Sequence, residues 1–194
     1  HQRGVRRHAR VLVAGDPETA SEAWLVLHGY GMLARGILHW FRPALQPGRV
    51  LVVPEDTSRF YLQGSGGRRA VGASWNTREE LQRELDDNRE YLDAVVAEFV
   101  PPTAALQVHG FSQGVSVGAR WSVRTARRVD RLVCWAGGFP EDVTADLVQR
   151  SQIAQPIHLV VGDDDTRVLP EQVEADAARL RAAGVQVTLR RFEG

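Results

Sequence analysis

Short apolar runs alternate along this chain with longer stretches whose apolar residues recur every three or four positions. Residues 9–13, 24–27, 49–53, 104–108, 131–136, 157–161 and 185–192 have the length of strands. Several are apolar almost throughout, as strands buried on both faces are. Between them, 34–45 carries Ile37, Leu38, Phe41 and Leu45 at helical spacing, which places Trp40 and Phe41 in the core and lets Pro43 bend or end the helix. The longest periodic stretch runs to Phe99 through Leu81, Leu85, Tyr91, Leu92, Val95 and Val96. Thr77 is its expected N-cap, Glu79 and Glu80 fall in its first turn, and Pro101-Pro102 terminates it. Further helices are expected from 113 toward 126, over 143–151, and from Pro170 to a stop at Gly184. Pro54 is expected to stop the strand before it. Strand and helix in regular alternation predict an α/β fold with a mostly parallel sheet.

Composition narrows what such a fold could do. The chain has 194 residues, 43% hydrophobic and 25% charged, enough for one domain with a full-sized core. All 24 basic residues are arginine and they balance 24 acidic ones, so the chain has no general attraction for nucleic acid. Pairs such as Arg6-Arg7, Arg68-Arg69 and Arg127-Arg128 read as solvated surface. One cysteine, Cys134, rules out an internal disulfide and lies in an apolar run, as buried filler does. No apolar stretch approaches the roughly 20 residues of a membrane span. The sequence starts at His1, which leaves an upstream signal segment open; a cytoplasmic location is favoured.

The segment 54–77 is the longest without periodicity, and it carries Phe60, Tyr61 and Trp75 among glycines. Long loops of this kind are functional or disordered, and the aromatics argue against disorder. Phe60, Tyr61 and Trp75 are therefore expected to line an acyl-binding groove, with packing of the loop on the core as the alternative. The stretch 64–69, Gly-Ser-Gly-Gly-Arg-Arg, lacks the ending of a phosphate-binding loop.

Candidate chemistry centres on Gly110-Phe111-Ser112-Gln113-Gly114, where an apolar run ends and small residues at helical spacing begin. A serine on such a strand–turn–helix junction is held in a strained conformation with its hydroxyl clear of the sheet. The amide of Gln113 and the positive end of the following helix then face any oxyanion formed on a substrate carbonyl. A second turn, His28-Gly29-Tyr30-Gly31, follows residues 24–27. It imitates a dinucleotide fingerprint, Gly29-x-Gly31-x-x-Ala34, with Glu55 as the ribose ligand. Against that reading, another strand precedes this one and a better catalytic motif follows. Alternatively the turn supplies a second oxyanion amide from Tyr30, with His28 as a structural brace. After residues 157–161 comes Asp163-Asp164-Asp165, placed where a carboxylate can orient an imidazole and lacking the ligand set of a metal site.

Taken in order, Leu27-His28-Gly29-Tyr30-Gly31, Ser74-Trp75, Gly110-Phe111-Ser112-Gln113-Gly114 and Gly162-x-x-Asp165-x-x-Val168 resemble the phospholipase/carboxylesterase branch of the α/β-hydrolase superfamily, over nearly the whole sequence. The resemblance implies an α/β-hydrolase fold with a mostly parallel central sheet flanked by helices and no cap domain. It implies Ser112 as nucleophile, Asp165 as the residue that orients a catalytic histidine, and the amides of Tyr30 and Gln113 as oxyanion donors. It further implies hydrolysis of short- to medium-chain acyl esters through an acyl-enzyme, without metal or organic cofactor. Thioesters and lysophospholipids, a homodimer, and an inert binding role for the fold are left open. One departure stands out: none of the six histidines follows Asp165. A histidine beyond Gly194, with a closing helix, is therefore expected, so that 1–194 would be a single domain lacking its C-terminal end.

Overall fold

The computed structural model describes residues 7–63 and 70–194. The arginine-containing stretch 64–69 and residues 1–6 lie outside the described residues. The chain begins with strands β1 (Arg10–Ala14) and β2 (Glu22–Leu27), then helix α1 (Ala34–Phe41), a 3-10 turn over Arg42–Ala44 that contains Pro43, and strand β3 (Arg49–Glu55). A hairpin of β4 (Arg59–Tyr61) and β5 (Val71–Ala73) precedes helix α2 (Leu81–Phe99). The second half is a regular succession of β6 (Ala105–Phe111), α3 (Gln113–Ser122), β7 (Arg131–Trp135), α4 (Ala145–Arg150), β8 (Ile157–Gly162), α5 (Pro170–Ala182) and β9 (Val187–Phe192).

Seven strands form one sheet in the order β1-β3-β2-β6-β7-β8-β9. Only the β1–β3 pair is antiparallel in it; β2 pairs with β3 and β6 in parallel, and β6 to β9 continue in parallel. Side chains alternate across this sheet, which sorts the core into two layers. Leu25, Leu27, Leu106, Val108, Leu132, Cys134, Leu159 and Val161 meet α2, α3, α4 and α5 through Leu92, Val115, Val148 and Val173. Val26, Leu51 and Val53 meet α1 through Ala34 and Ile37 on the opposite face. Cys134 is buried and free, and burial raises its thiol pKa well above the ordinary value.

Several local expectations are corrected. Strand β3 runs through Pro54 to Glu55. Its pairing with β2 ends at Leu25↔Val52, so the missing proline N–H lies beyond that ladder, opposite Val11 of β1 only. The stretch 54–77 contains the β4–β5 hairpin, with Phe60 opposite Gly72. Thr77 is not the N-cap of α2; that place belongs to Glu80 in a left-handed conformation (φ 52°). Thr77 instead donates its amide to the Glu84 carboxylate at 2.6 Å, and its hydroxyl accepts from the Glu79 amide. Helix α3 stops at Ser122 rather than near 126. Trp40 is exposed, not core, while Phe41 packs against the smaller layer.

Candidate active site

The β6–α3 junction forms a sharp turn on Ser112, whose φ is 52° and ψ −114°. A non-glycine residue with positive φ is strained, and such strain persists only where the surroundings over-determine it. The Ser112 amide donates to the Trp135 carbonyl at 2.9 Å, and its carbonyl accepts from the Val115 amide at 3.0 Å. The glycines either side are required sterically. A Cβ on Gly110 would lie 2.4 Å from the Gly114 carbonyl oxygen, and one on Gly114 would lie 2.3 Å from that of Leu27. Gln113 is the first residue of α3, so its amide has no partner within the helix and lies at the positive end of the helix dipole.

The turn after β2 comes up beside this serine: a Cβ on Gly29 would be 3.2 Å from the Ser112 Cβ. His28 is fully buried there. Its Nδ1–H donates to the Gly29 carbonyl at 2.9 Å, its Nε2 accepts the Asp56 amide at 3.2 Å, and its ring stacks on Trp75 at 4.8 Å. Burial lowers its pKa, so both ring nitrogens are used by a neutral imidazole in a bracing role. Tyr30 is exposed and its ring lies 5.2 Å from that of Phe60, while Tyr61 is also exposed.

Trp75 needs correcting as a groove residue. It is 1% exposed, donates its indole N–H to the His28 carbonyl at 2.9 Å, and belongs to the larger core layer. The packing alternative describes it, because an indole closed in on the His28 ring has no face left for a substrate. Glu55 is likewise committed. Its buried carboxylate accepts the Ala34 amide at the start of α1 at 2.9 Å and pairs with Arg59 at 2.8 Å, which leaves the dinucleotide reading without its ribose ligand.

On the other side of the serine, strand order puts Asp165 just past β8, two strands from β6, or about 10 Å at ordinary strand spacing. Its Oδ1 accepts the amides of Arg167 at 2.9 Å and Val168 at 3.0 Å, and Oδ2 has no hydrogen-bond partner among the described residues. Asp163 is paired with Arg191, and Asp164 is exposed. Of the remaining histidines, His109 is buried between Trp24 and Trp135, with its pKa lowered to about 3 by burial and by nearby Arg131 and Arg49. His158 lies within β8, short of its carboxyl end. Among the described residues no group of three His, Cys, Asp or Glu side chains could hold a metal ion, and no helix is long and apolar enough to cross a membrane.

Two features were missed. Asn88 is buried and donates to the Trp75 carbonyl at 2.7 Å. Its spacing from Leu85 and Leu92 puts it on the apolar stripe of α2, a signal hidden by the neighbouring Asp86, Asp87 and Glu90. The second is an open apolar groove of about 410 Å³ on the α1 side of the sheet, lined among others by Trp24, Trp40, Phe111, Trp135, Val160 and Phe192. Trp40 stands at its rim, edge-on to Phe111, which accounts for its exposure.

No protein-family model matches the sequence, and no curated protein matches it. Solved structures do. The chain is similar to acyl-protein thioesterase 2 of Zea mays, at 17% identity and TM-score 0.73 over 96% of this chain and 90% of that one. It is also similar to a phospholipase/carboxylesterase from Dyadobacter fermentans (19% identity, TM-score 0.66, 98% and 90% covered) and to esterase PE8 (20%, 0.65, 98% and 90%). At these identities the likeness establishes architecture: the chain has the α/β-hydrolase fold, as the phospholipase/carboxylesterase branch does.

Proposed function

We propose that this chain is a serine hydrolase acting on short- to medium-chain carboxylic esters, with Ser112 as nucleophile. The observation that carries the reading is the backbone of Ser112, strained at φ 52° on a strand–helix junction and pinned to the neighbouring strand. Its hydroxyl attacks the ester carbonyl, the amides of Tyr30 and Gln113 receive the negative charge that develops on oxygen, and water releases the acyl group by the same steps reversed. Asp165 orients the histidine that takes and returns the proton. In the family arrangement that histidine follows the last strand, and none of the six histidines here does. The Gly194 carbonyl accepts the Asp164 amide at 3.2 Å, which holds the end of β9 against the loop that carries Asp165. The exposed Tyr30 ring and the half-buried Phe60 ring beside the oxyanion turn are the proposed wall for the acyl chain; Tyr61 is the outer one.

A second substrate class, thioesters, is favoured by one specific likeness, that to an acyl-protein thioesterase, and the same groups would serve both. Intact mass before and after a fluorophosphonate, with p-nitrophenyl ester turnover on the same sample, tests the reading. One adduct, absent in Ser112→Ala, together with turnover, is expected. Turnover unaffected by that substitution would overturn it.

A further inference from the structure

Both proposed oxyanion amides lie beyond the reach of the sheet. The β2–β6 ladder ends at the pair Leu27↔Gly110, and Tyr30 and Gln113 each stand three residues past it. Beyond the ladder the backbone at Gly114 packs on Leu27 and His28, and side-chain bonds add to that contact in fixing the separation of the two turns. We propose that residues 72–76 form a bracket that sets the spacing of the two oxyanion amides, with the side chains of Gln113, Trp75 and Asn88 as its positioning residues. The inference rests on the hydrolase reading above.

One end of the bracket is tied to the nucleophile helix. The Gln113 side chain accepts the Trp75 amide on Oε1 at 3.0 Å, and its Nε2 donates to the Asn76 carbonyl at 2.9 Å and the Asn76 Oδ1 at 3.1 Å. Its other end is tied on both sides of Tyr30. Before it, the Trp75 indole donates to the His28 carbonyl at 2.9 Å. After it, the Gly31 amide donates to the Ala73 carbonyl at 2.8 Å, and the Ala73 amide donates to the Met32 carbonyl at 3.2 Å. In the middle, Asn88 of α2 donates to the Trp75 carbonyl at 2.7 Å and fixes the bracket to the core. The bracket thus connects the residue carrying one donor amide to the residues flanking the other. The part-buried Gln113 amide, satisfied on both oxygen and nitrogen, holds position more tightly than packing alone would.

The backbone amide of Gln113 survives replacement by alanine or glutamate, so an effect of Gln113→Ala on the oxyanion must act through position. The test compares wild type, Gln113→Ala, Gln113→Glu and Trp75→Phe of the full-length protein on an aryl ester and on the matching thionoester, whose carbonyl sulfur accepts hydrogen bonds poorly. Gln113→Ala is expected to lower kcat for the ester about 10- to 100-fold with KM little changed. The ester-to-thionoester rate ratio should fall with it. Gln113→Glu keeps the acceptor for the Trp75 amide and should fall between. Trp75→Phe keeps an aromatic ring against His28, loses the indole donor and part of the buried ring volume, and should reduce the same ratio even if Gln113→Ala folds poorly. Equal losses on both substrates, or an unchanged kcat in the folded variants, would overturn the bracket while Ser112 still labels. Absence of label and turnover in the wild type would overturn the hydrolase reading and the bracket together.

Discussion

Ser112 donates its amide to the carbonyl of Trp135 at 2.9 Å, a bond from the strained residue to the strand beside it. With its own carbonyl taken by Val115, neither backbone polar group of the serine can relax without loss. The neighbouring strand therefore carries the cost of a conformation that a side chain other than hydrogen disfavours.

Replacing Ser112 by glycine removes that strain and the hydroxyl together. Ser112→Gly should raise stability to urea by about 1 kcal/mol, the strain relieved outweighing the entropy of a new glycine. Ester turnover should fall by about 10⁵-fold or more. Loss of stability in this variant would show that the positive φ is not strained.

Trp75 and the half-buried Phe60 should separate in their effects. Trp75→Ala empties a buried site and should cost about 3–5 kcal/mol in urea denaturation. Phe60→Ala should leave stability nearly intact and shift preference along a series of p-nitrophenyl esters of increasing acyl length. A shift in Trp75→Phe as large as in Phe60→Ala would return the indole to the groove.

The sheet and the serine turn were legible because their signals are local: apolar runs of strand length, and glycines spaced around Ser112. The same succession of strands placed the run Asp163-Asp164-Asp165 at the end of β8, and the family resemblance singled out Asp165 within it. What was not legible depends on which surface a residue meets. Trp75 reads as an aromatic in a loop, yet the β4–β5 hairpin turns it into the core, and two three-residue strands leave almost no periodic trace. Trp40 sits at helical spacing beside core residues but faces a groove over strands far along the chain. Thr77 has the chemistry of a cap, yet its amide and hydroxyl are taken by Glu84 and Glu79, and the cap falls at Glu80.

Gly114 has no room for a side chain. Its added Cβ would meet the backbone of β2, at 2.3 Å from the Leu27 oxygen and 2.9 Å from the His28 oxygen, and backbone cannot rotate aside. Gly114→Ala should destabilise by about 3 kcal/mol, at the upper end for overpacking, because α3 must move off the sheet. The same movement carries the Gln113 amide away from Ser112's substrate side, so turnover should fall more than the folded fraction does. Circular dichroism melts and kcat normalised to labelled protein measure the two effects.

Stability as a function of pH pits two buried groups against each other. His109 binds its proton only near pH 3 in the folded protein, whereas an unfolded histidine binds near 6.5. Its contribution is therefore full above about pH 6.5 and is lost as pH falls toward 3. Burial lowers the pKa of His28 and His158 as well, which adds in the same direction. Asp56 acts oppositely. Burial raises its carboxyl to about 6, against roughly 3.9 unfolded, so its contribution is full at low pH and is lost as pH rises through about 6. Between about pH 4 and 6 each group changes stability by up to roughly 1.4 kcal/mol per pH unit, with opposite signs. Asp56→Asn keeps an acceptor for the Ser58 amide, which Asp56 Oδ1 holds at 2.6 Å, and removes the titration. Urea midpoints of the variant should then fall more steeply from pH 6 to pH 4 than those of the wild type. Parallel curves would mean that Asp56 ionises in the folded protein as it does unfolded, and that its burial beside the His28 turn leaves it better solvated than its position implies.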